Sequence, residues 1–298
     1  KGTNVYAGEW YKGTINNQQF IFMKNWGFNT VRITIPSWTI KYNNWQNQTF
    51  RQIYLDMIQH AKDNEMYVVV SVMHLDDENI EELYPLDTSV WSAKDWTNYF
   101  EHIKNIVTMT KNEDHVLYDL LNEPLYLESY DFYRDKMEQA IDAVRSIDPD
   151  AICIVEAGSL GYFGANRMGL QFFDEYPIRR DNIIYSPHIY HDDKWEENMA
   201  YSKTDIRSRF QSMNYYAPLN DNKPVWIGEF NTNNDLVGDP TFRGEEFLRN
   251  LMDIIEEDGF SGWCIWSWGL IGRHQVINDF NGTPSQTGQV IKDYLMNN

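Results

Sequence analysis

The sequence predicts an α/β fold, a single (β/α)₈ TIM barrel that spans residues 1–298 as one domain. Three observations support this prediction. The chain has 298 residues, which suits one barrel with long loops. Eight short runs of β-branched or apolar residues are spread along it, and amphipathic helical stretches lie between them. Strands that alternate with helices form parallel sheets with right-handed crossovers, and eight such units are typical of a closed barrel.

The eight predicted strands begin, from the second onwards, about 32 to 49 residues apart, with no break where a second domain could start. In chain order they cover residues 3–6, 30–35, 67–73, 116–121, 151–155, 183–186, 225–227 and 262–266. An open, doubly wound sheet would carry a glycine-rich phosphate-binding loop after its first strand, and Gly8-Glu9-Trp10 is no such loop. The open sheet is therefore disfavoured.

The predicted helices lie between these strands and carry recognisable start and stop signals. Examples cover residues 50–64, 95–111, 130–146, 202–216 and 242–257. Asp95 is expected to cap the helix that it begins, and Asp148-Pro149 is expected to close the helix over 130–146.

Composition excludes some partners and leaves others open. The formal net charge of −19 argues against a nucleic-acid backbone or an anionic membrane as partner, because both repel a negative surface. No apolar run approaches the ~18–20 residues of a transmembrane helix. Cys153 and Cys264 lie in separate apolar runs and are expected to be buried thiols rather than a disulfide. The oligomeric state is not readable from the sequence.

Polar and aromatic residues stand at or near the ends of the predicted strands, where barrel enzymes hold their active sites. In chain order these residues are Asn4, Arg32, His74, Asn122, Glu123, Glu156, His188, Tyr190, Glu229 and Trp266. A buried carboxylate is costly unless it is paired, so Glu229, within the apolar run WIGEF, needs a compensating reason.

Glu123 and Glu229 are about three βα units apart, so their side chains should converge over the barrel mouth. Two facing carboxyl groups suffice to hydrolyse a glycosidic bond. A separation of ~5–5.5 Å corresponds to retention of anomeric configuration through a covalent glycosyl-enzyme, and ~6.5–9.5 Å to inversion. Such a pair would allow hydrolysis of a glycosidic bond, with a stereochemical outcome that depends on this distance.

The segments NTVRI, SVMH, LNEP, SPHIY, WIGEF and WCIWSW, in this order, resemble glycoside hydrolase family 5, the cellulase-like members of a large retaining (β/α)₈ clan. The resemblance runs from Gly2 to about Trp268. A tripeptide such as NEP is common, but six segments in order and at barrel spacing are specific. The resemblance implies endo-hydrolysis of a β-1,4-linked polysaccharide, most directly β-1,4-glucan (cellulase or endoglucanase activity), with β-mannan as the alternative.

The same resemblance implies roles for single residues. Glu123 is implied as acid/base and Glu229 as nucleophile. Asn122 is implied to bind the 2-hydroxyl of the sugar under attack. Arg32 and Tyr190 are implied to hold Glu229 ionised and oriented, which agrees with the chemistry, because a cation and a hydroxyl donor favour a carboxylate.

Three further residues are implied to line the cleavage subsite. His74 and His188 would line its sides, and Trp266 would form its stacking floor. Members of the family often have a cis peptide bond after this tryptophan, here between Trp266 and Ser267. Neither a cofactor nor a metal ion is required by this chemistry.

Several other residues carry weaker expectations. Asp119 lies four residues before Glu123, should face the barrel interior, and is predicted to pair with Arg32. Glu156 ends the fifth strand and is as consistent with a structural polar residue as with a functional one. Tryptophans in loops of the active-site face are candidates for sugar stacking or for loop packing. They are Trp10, Trp38, Trp45, Trp91 and Trp195.

Two acidic clusters, Asp76-Asp77-Glu78 with Glu81-Glu82 and His191-Asp192-Asp193, invite a calcium interpretation. Their spacing matches no specific calcium loop, so a solvated acidic surface is favoured. Two alternatives of other classes stay open: a metal-dependent barrel hydrolase built on His74, His188 and His191, and a barrel that binds glycans without cleaving them. An extracellular location, with any signal peptide removed, is expected because a long glucan cannot enter a cell.

Overall fold

The structure, a computed structural model, describes residues 1–6, 14–36, 50–74, 88, 91–124, 127–158, 169–191, 202–240, 242–270 and 272–297. For residues 36, 50, 73 and 74 it describes the backbone.

Nine parallel strands form one sheet in the described residues. They are β1 (Gly2–Val5), β2 (Thr30–Pro36), β3 (Tyr67–His74), β4 (Val116–Asp119), β5 (Cys153–Glu156), β6 (Ile183–Ser186), β7 (His188–His191), β8 (Trp226–Thr232) and β9 (Gly262–Ile265). The order around the sheet is β6-β5-β4-β3-β2-β1-β9-β8-β7. A parallel bridge between Tyr185 in β6 and Val225, just before β8, closes the ring. The predicted (β/α)₈ barrel is confirmed.

The structure has nine strands rather than the eight predicted because Pro187 separates β6, the sixth predicted strand, from its continuation β7. Proline has no N–H to donate to a sheet ladder. The chain changes neighbours at this point: β6 pairs with β5, and β7 pairs with β8. The Pro187 carbonyl accepts a hydrogen bond from the N–H of Gly228 (3.2 Å). The two halves thus act as one barrel strand, and β7 extends its carboxyl end into the mouth.

Ten helices accompany the strands in the same parts of the chain. They are α1 (Asn17–Trp26), α2 (Phe50–Asp63), α3 (Ala93–Thr110), α4 (Tyr130–Arg145), α5 (Phe172–Glu175), α6 (Lys203–Ser212), α7 (Tyr216–Asn220), α8 (Asn234–Val237), α9 (Gly244–Glu257) and α10 (Gln286–Asn297). None of them is both long and apolar enough to cross a bilayer.

Two helix predictions need correction. Asp95 is not the N-cap of α3: Ser92 is, and Asp95 completes a capping box by accepting the Ser92 N–H (2.7 Å). The helix predicted over 202–216 ends at Ser212. Asn214 then adopts a left-handed φ of 60°, a conformation that asparagine tolerates, and α7 begins as a separate helix.

The apolar core lies between the barrel and its helices. In β2, Val31, Ile33 and Ile35 are buried in this layer, whereas Arg32 lies in the barrel interior. This alternation is the period of two expected of a strand. Cys153 and Cys264 are buried free thiols, as predicted.

Candidate active site

A buried cation, Arg32 of β2, lies at the centre of the site. Its side chain is fully buried and pairs with three carboxylates, Asp119 (2.8 Å), Glu156 (2.7 Å) and Glu229 (2.6 Å). It also donates hydrogen bonds to the side-chain oxygens of Asn4 (2.9 Å), Ser71 (2.8 Å) and Asn122 (2.7 Å). Burial alone would lower the pKa of Arg32, but the three carboxylates raise it well above its usual value. The guanidinium is therefore a permanent charge.

Glu229 of β8 is held by two donors. Nη1 of Arg32 donates to Oε1 (2.6 Å), and the hydroxyl of Tyr190 donates to Oε2 (2.6 Å). Its side chain is 5% exposed. Burial and the Glu229 charge raise the pKa of the Tyr190 phenol well above its ordinary value, so Tyr190 keeps its proton to donate. Both oxygens of Glu229 are thus fixed in direction by donors, one of which is a cation.

Glu123 follows β4 and lies in a different environment. Its backbone has a left-handed φ of 46°. Its N–H donates to Oε2 of Glu156 (2.6 Å), and Oε1 lies 3.0 Å from Nδ1 of His188. The side chain is 15% exposed, more than that of Glu229. Arg32 makes no ion pair with Glu123 among the contacts of the described residues, so the two glutamates differ in both charge environment and access.

The two glutamates converge, as the sequence predicts. One oxygen of Glu123, one oxygen of Glu229 and one ring nitrogen of His188 all lie within 4.8 Å of one another. The nearest approach of the two carboxyl groups is therefore closer to the ~5–5.5 Å separation of a retaining pair than to the ~6.5–9.5 Å of an inverting pair.

His188 and His191 both belong to the histidine set of the metal-dependent alternative, and they lie in different environments. Burial disfavours a charged imidazole, but the charges of Glu156 and Glu229, together with the hydrogen bond to Glu123, raise the pKa of His188 well above its usual value. The other described member of the predicted metal set, His191, lies against Phe247 of α9 with ring centroids 4.9 Å apart. It is therefore a packing residue outside the barrel interior.

Trp266 lies at the end of β9, and its peptide bond to Ser267 is cis, as the resemblance implies. Its ring contacts that of Tyr6 edge to face, with centroids 5.9 Å apart. Its backbone N–H donates to the Phe230 carbonyl (3.1 Å), and its own carbonyl accepts from the side-chain amide of Asn231. These contacts fix the indole at the barrel mouth.

Six of the eight predicted site residues lie in one hydrogen-bonded network: Arg32, Asn122, Glu123, His188, Tyr190 and Glu229. Asp119 pairs with Arg32, as predicted. Burial and the charge of Glu156 raise the pKa of Asp119, and the charge of Arg32 opposes this rise. His74 ends β3, but its side chain lies outside the described residues, as do Trp10, Trp38, Trp45, Trp195 and the acidic runs over 76–82 and 192–193.

The ring contacts of Trp91 favour a role in loop packing over a role in sugar stacking. Its ring lies 4.4 Å from that of Trp96 and 5.6 Å from that of Tyr99, centroid to centroid.

Sequence reasoning missed Ser71, whose signal was a small polar residue inside the valine-rich run of β3. It also left the role of Glu156 open.

Comparison with known proteins agrees with this geometry. The family model described as cellulase (glycosyl hydrolase family 5) matches residues 1–270. Endoglucanase A of Butyrivibrio fibrisolvens is 24% identical over 273 residues, which cover 89% of this chain and 55% of that protein. Cellulase CelDZ1 of a Thermoanaerobacterium species is 27% identical over 296 residues, covering 96% and 69%. The chain thus spans about half the length of the first of these relatives and about two thirds of the second.

Solved structures share the fold. An endocellulase from Pyrococcus horikoshii, in complex with cellotetraose, superposes with a TM-score of 0.77 at 18% identity, covering 99% of this chain and 92% of that one. The catalytic domain of Thermobifida fusca endoglucanase Cel5A gives 0.71 at 18% identity, covering 99% and 91%.

Proposed function

The chain belongs to glycosyl hydrolase family 5, and from this premise we propose that it is a retaining endo-β-1,4-glucanase. The observation that carries the proposal is the pair of carboxyl groups within 4.8 Å, one bound to a cation and a phenol and the other facing an imidazole. The relatives named endoglucanase and cellulase favour β-1,4-glucan as substrate. β-1,4-Mannan is the second candidate.

In the first step, the Glu229 carboxylate attacks the anomeric carbon while Glu123 gives its proton to the departing glycosidic oxygen. The glycosidic bond breaks, a glycosyl ester forms on Glu229, and the shortened glucan leaves as an alcohol. In the second step, Glu123, now a carboxylate, takes a proton from water as the oxygen of that water attacks the same carbon. The ester breaks, Glu229 is again an anion, and Glu123 is again protonated.

The network prepares Glu229 for this cycle. Arg32 and Tyr190 hold both of its oxygens in place, so attack requires little reorganisation of the site. When the ester forms, Glu229 loses its charge, but Arg32 keeps Asp119 and Glu156 as partners. The buried cation is therefore never left uncompensated.

Two more side chains face the substrate in this proposal. Arg32 donates to Oδ1 of Asn122, which leaves the amide nitrogen of Asn122 to donate to the 2-hydroxyl of the sugar. Trp266, anchored through its backbone and through Tyr6, supplies an apolar face for the C–H groups of the ring. We further propose that residues 1–298 form one catalytic domain and that this domain acts outside the cell, because its polymeric substrate is found there.

A panel of soluble polysaccharides tests the substrate. Carboxymethyl cellulose, mixed-linkage glucan, xyloglucan, galactomannan and xylan would each be assayed for new reducing ends and for the chain length of the products. We expect the fastest cleavage on β-1,4-glucan, with a rapid fall in viscosity. Cleavage of galactomannan alone would contradict the glucan assignment. No cleavage of any of them would favour the glycan-binding alternative, and loss of activity on chelation, restored by a divalent metal, would favour the metal-dependent one.

A further inference from the structure

Glu156, at the end of β5, makes contacts that a merely structural carboxylate does not need. It is 1% exposed. Oε1 lies 2.7 Å from Nη2 of Arg32 and 3.3 Å from Nε2 of His188, and Oε2 accepts the backbone N–H of Glu123 at 2.6 Å. One side chain thus contacts both the cation behind Glu229 and the backbone of Glu123.

His188 joins Glu156 to Glu123 a second time, through its side chain. The imidazole is 1% exposed, and its two nitrogens lie near different carboxyl groups. Nδ1 is hydrogen-bonded to Oε1 of Glu123 at 3.0 Å, whereas Nε2 lies 3.3 Å from Oε1 of Glu156, within ion-pair distance but without hydrogen-bond geometry. A nitrogen that faces a carboxylate is held in its protonated form. Glu229 is the third anion near the ring, with Oε2 3.7 Å from Nδ1. Arg32, from β2, binds both Glu156 and Glu229 and is a second cation next to these carboxylates.

We propose that Glu156 is a positioning residue that keeps His188 protonated on both ring nitrogens and orients Glu123, so that the proton which Glu123 transfers sits on Oε2. The Nδ1–H group of His188 then donates a hydrogen bond to Oε1 of Glu123, so that the proton of Glu123 is carried by Oε2. If His188 were neutral, the hydroxyl of Glu123 would instead donate to Nδ1 and be turned away from the substrate. This inference rests on the proposed function and adds a residue to it.

The hydrogen bond from the backbone N–H of Glu123 to Glu156 also positions Glu123. Glu123 has a left-handed φ of 46°, a conformation disfavoured for residues with a Cβ. Its N–H points at Oε2 of Glu156. Glu156 therefore stabilises the turn that carries Glu123 into the mouth, and it does so without touching the substrate.

The variant Glu156→Gln tests the proposal because glutamine keeps the shape but offers only one acceptor oxygen. Its amide must face either the Glu123 N–H or the donors of Arg32 and His188, and one of these contacts becomes donor against donor. Removing the anion also lowers the pKa of His188, because the charge of Glu156 is the largest of the contributions that raise it. We expect the basic limb of kcat/KM to move by on the order of one pH unit downward, kcat to fall at least ~10-fold, and KM to change little.

Asp119→Asn is the matched control. Asp119 is also a buried partner of Arg32, but it contacts neither His188 nor the Glu123 N–H among the described contacts. We expect this variant to leave the basic limb in place. Equal downward shifts in both variants would show a general effect on Arg32 and would overturn the proposal.

A second measurement keeps the proposal testable if Glu156→Gln fails to fold. In the unmodified protein, ¹⁵N spectra of the histidine rings, with His188 assigned by its absence in His188→Asn, report the proton on each nitrogen. Both nitrogens of His188 should carry protons near neutral pH. A neutral ring with a bare Nδ1 would contradict the proposal. If the unmodified protein cleaves no polysaccharide, the proposed function fails, whereas cleavage with an unshifted Glu156→Gln profile rejects only this inference.

Discussion

The inward and outward faces of β7 hold histidines in opposite environments, although both side chains are buried. His188 faces the barrel interior and lies among carboxyl groups, which raise its pKa well above the usual value despite its burial. His191 faces the helix layer, packs on Phe247 and lies 3.1 Å from the Thr232 hydroxyl. Burial, with Arg209 nearby, lowers the pKa of His191 to about 4.

Three residues along one strand therefore separate a charged imidazole from a neutral one. The difference shows that burial alone does not set the state of a titratable group; the partners inside the barrel do. The layer between barrel and helices provides apolar burial, which stabilises the fold. The interior of the barrel mouth holds a cation among several carboxylates, an arrangement that seldom adds stability but does prepare charge for chemistry.

Among substitutions in the barrel interior, we expect Glu229→Gln to have the largest effect. Glutamine keeps the shape but cannot act as the nucleophile, so we expect kcat on β-1,4-glucan to fall by at least ~10⁴-fold, as when other enzymes lose a nucleophile. The fold should survive, because Arg32 keeps two carboxylate partners. Steady-state kinetics and thermal unfolding check both halves. Residual activity above about 1% would remove Glu229 from the role of nucleophile.

Arg32→Met compares the two faces of β2. Removing a buried cation leaves three carboxylates uncompensated and should cost ~3–5 kcal/mol of the free energy of unfolding. Ile33→Val, one residue along and facing outward, should cost ~0.5–1.5 kcal/mol. Urea unfolding at neutral pH measures both. Similar losses for the two variants would mean that the interior charges are not interdependent.

Glu123→Ala separates proton donation from the rest of the mechanism. We expect a loss of ~10²–10⁴-fold on glucan, whose leaving group must be protonated. Activated aryl glycosides leave without a proton, so the first step on these substrates should be almost unchanged. The measurement is the rate of the first turnover on both substrates. Equal losses would contradict the assignment of Glu123 as acid.

For His191, on the outward face of β7, we expect the free energy of unfolding to depend on pH with a sign opposite to that expected for His188. The folded pKa of His191, about 4, lies below that of an unfolded histidine, about 6.5. The unfolded chain therefore binds a proton first, and stability is lost as the pH falls from about 6.5 to 4. His102 in α3, with a pKa lowered to about 4 by burial, adds to the same loss.

His191→Phe should remove the contribution of His191, which is about half of the combined loss of unfolding free energy and on the order of 2 kcal/mol. Activity near neutral pH should be unchanged. The free energy of unfolding, measured at several pH values, gives the comparison with the unmodified protein. An undiminished loss in the variant would mean that His191 is not held neutral in the fold.

The barrel and its two glutamates were predictable because each depends on local pattern. Short runs of β-branched or apolar residues located the strands, and Glu123 and Glu229 stand at or near the carboxyl ends of two of these runs. Asp119 was predictable in the same way, from its spacing of four residues before Glu123. Pro187 was visible in the sequence, but the change of partner that it allows depends on where Gly228 lies.

The contacts of Glu156 and the need for Gly228 were not predictable, because they depend on distances across the barrel. A Cβ at residue 228 would lie 2.8 Å from Nε2 of His188 and would also collide with the Ser186 hydroxyl. The sequence shows only a glycine in WIGEF. It likewise shows that Glu156 ends a strand, but not that its two oxygens reach a guanidinium, an imidazole and a backbone amide.

The central claim is that Glu229 forms a covalent bond to the sugar while Glu123 supplies the proton. The most direct measurement uses an activated 2-deoxy-2-fluoro cellobioside, which slows hydrolysis of the intermediate, followed by mass spectrometry of the proteolysed enzyme. We predict one glycosyl ester per chain, located on Glu229, which is released with the β-configuration retained. An ester on another residue, or a product of inverted configuration with no ester formed, would contradict the account.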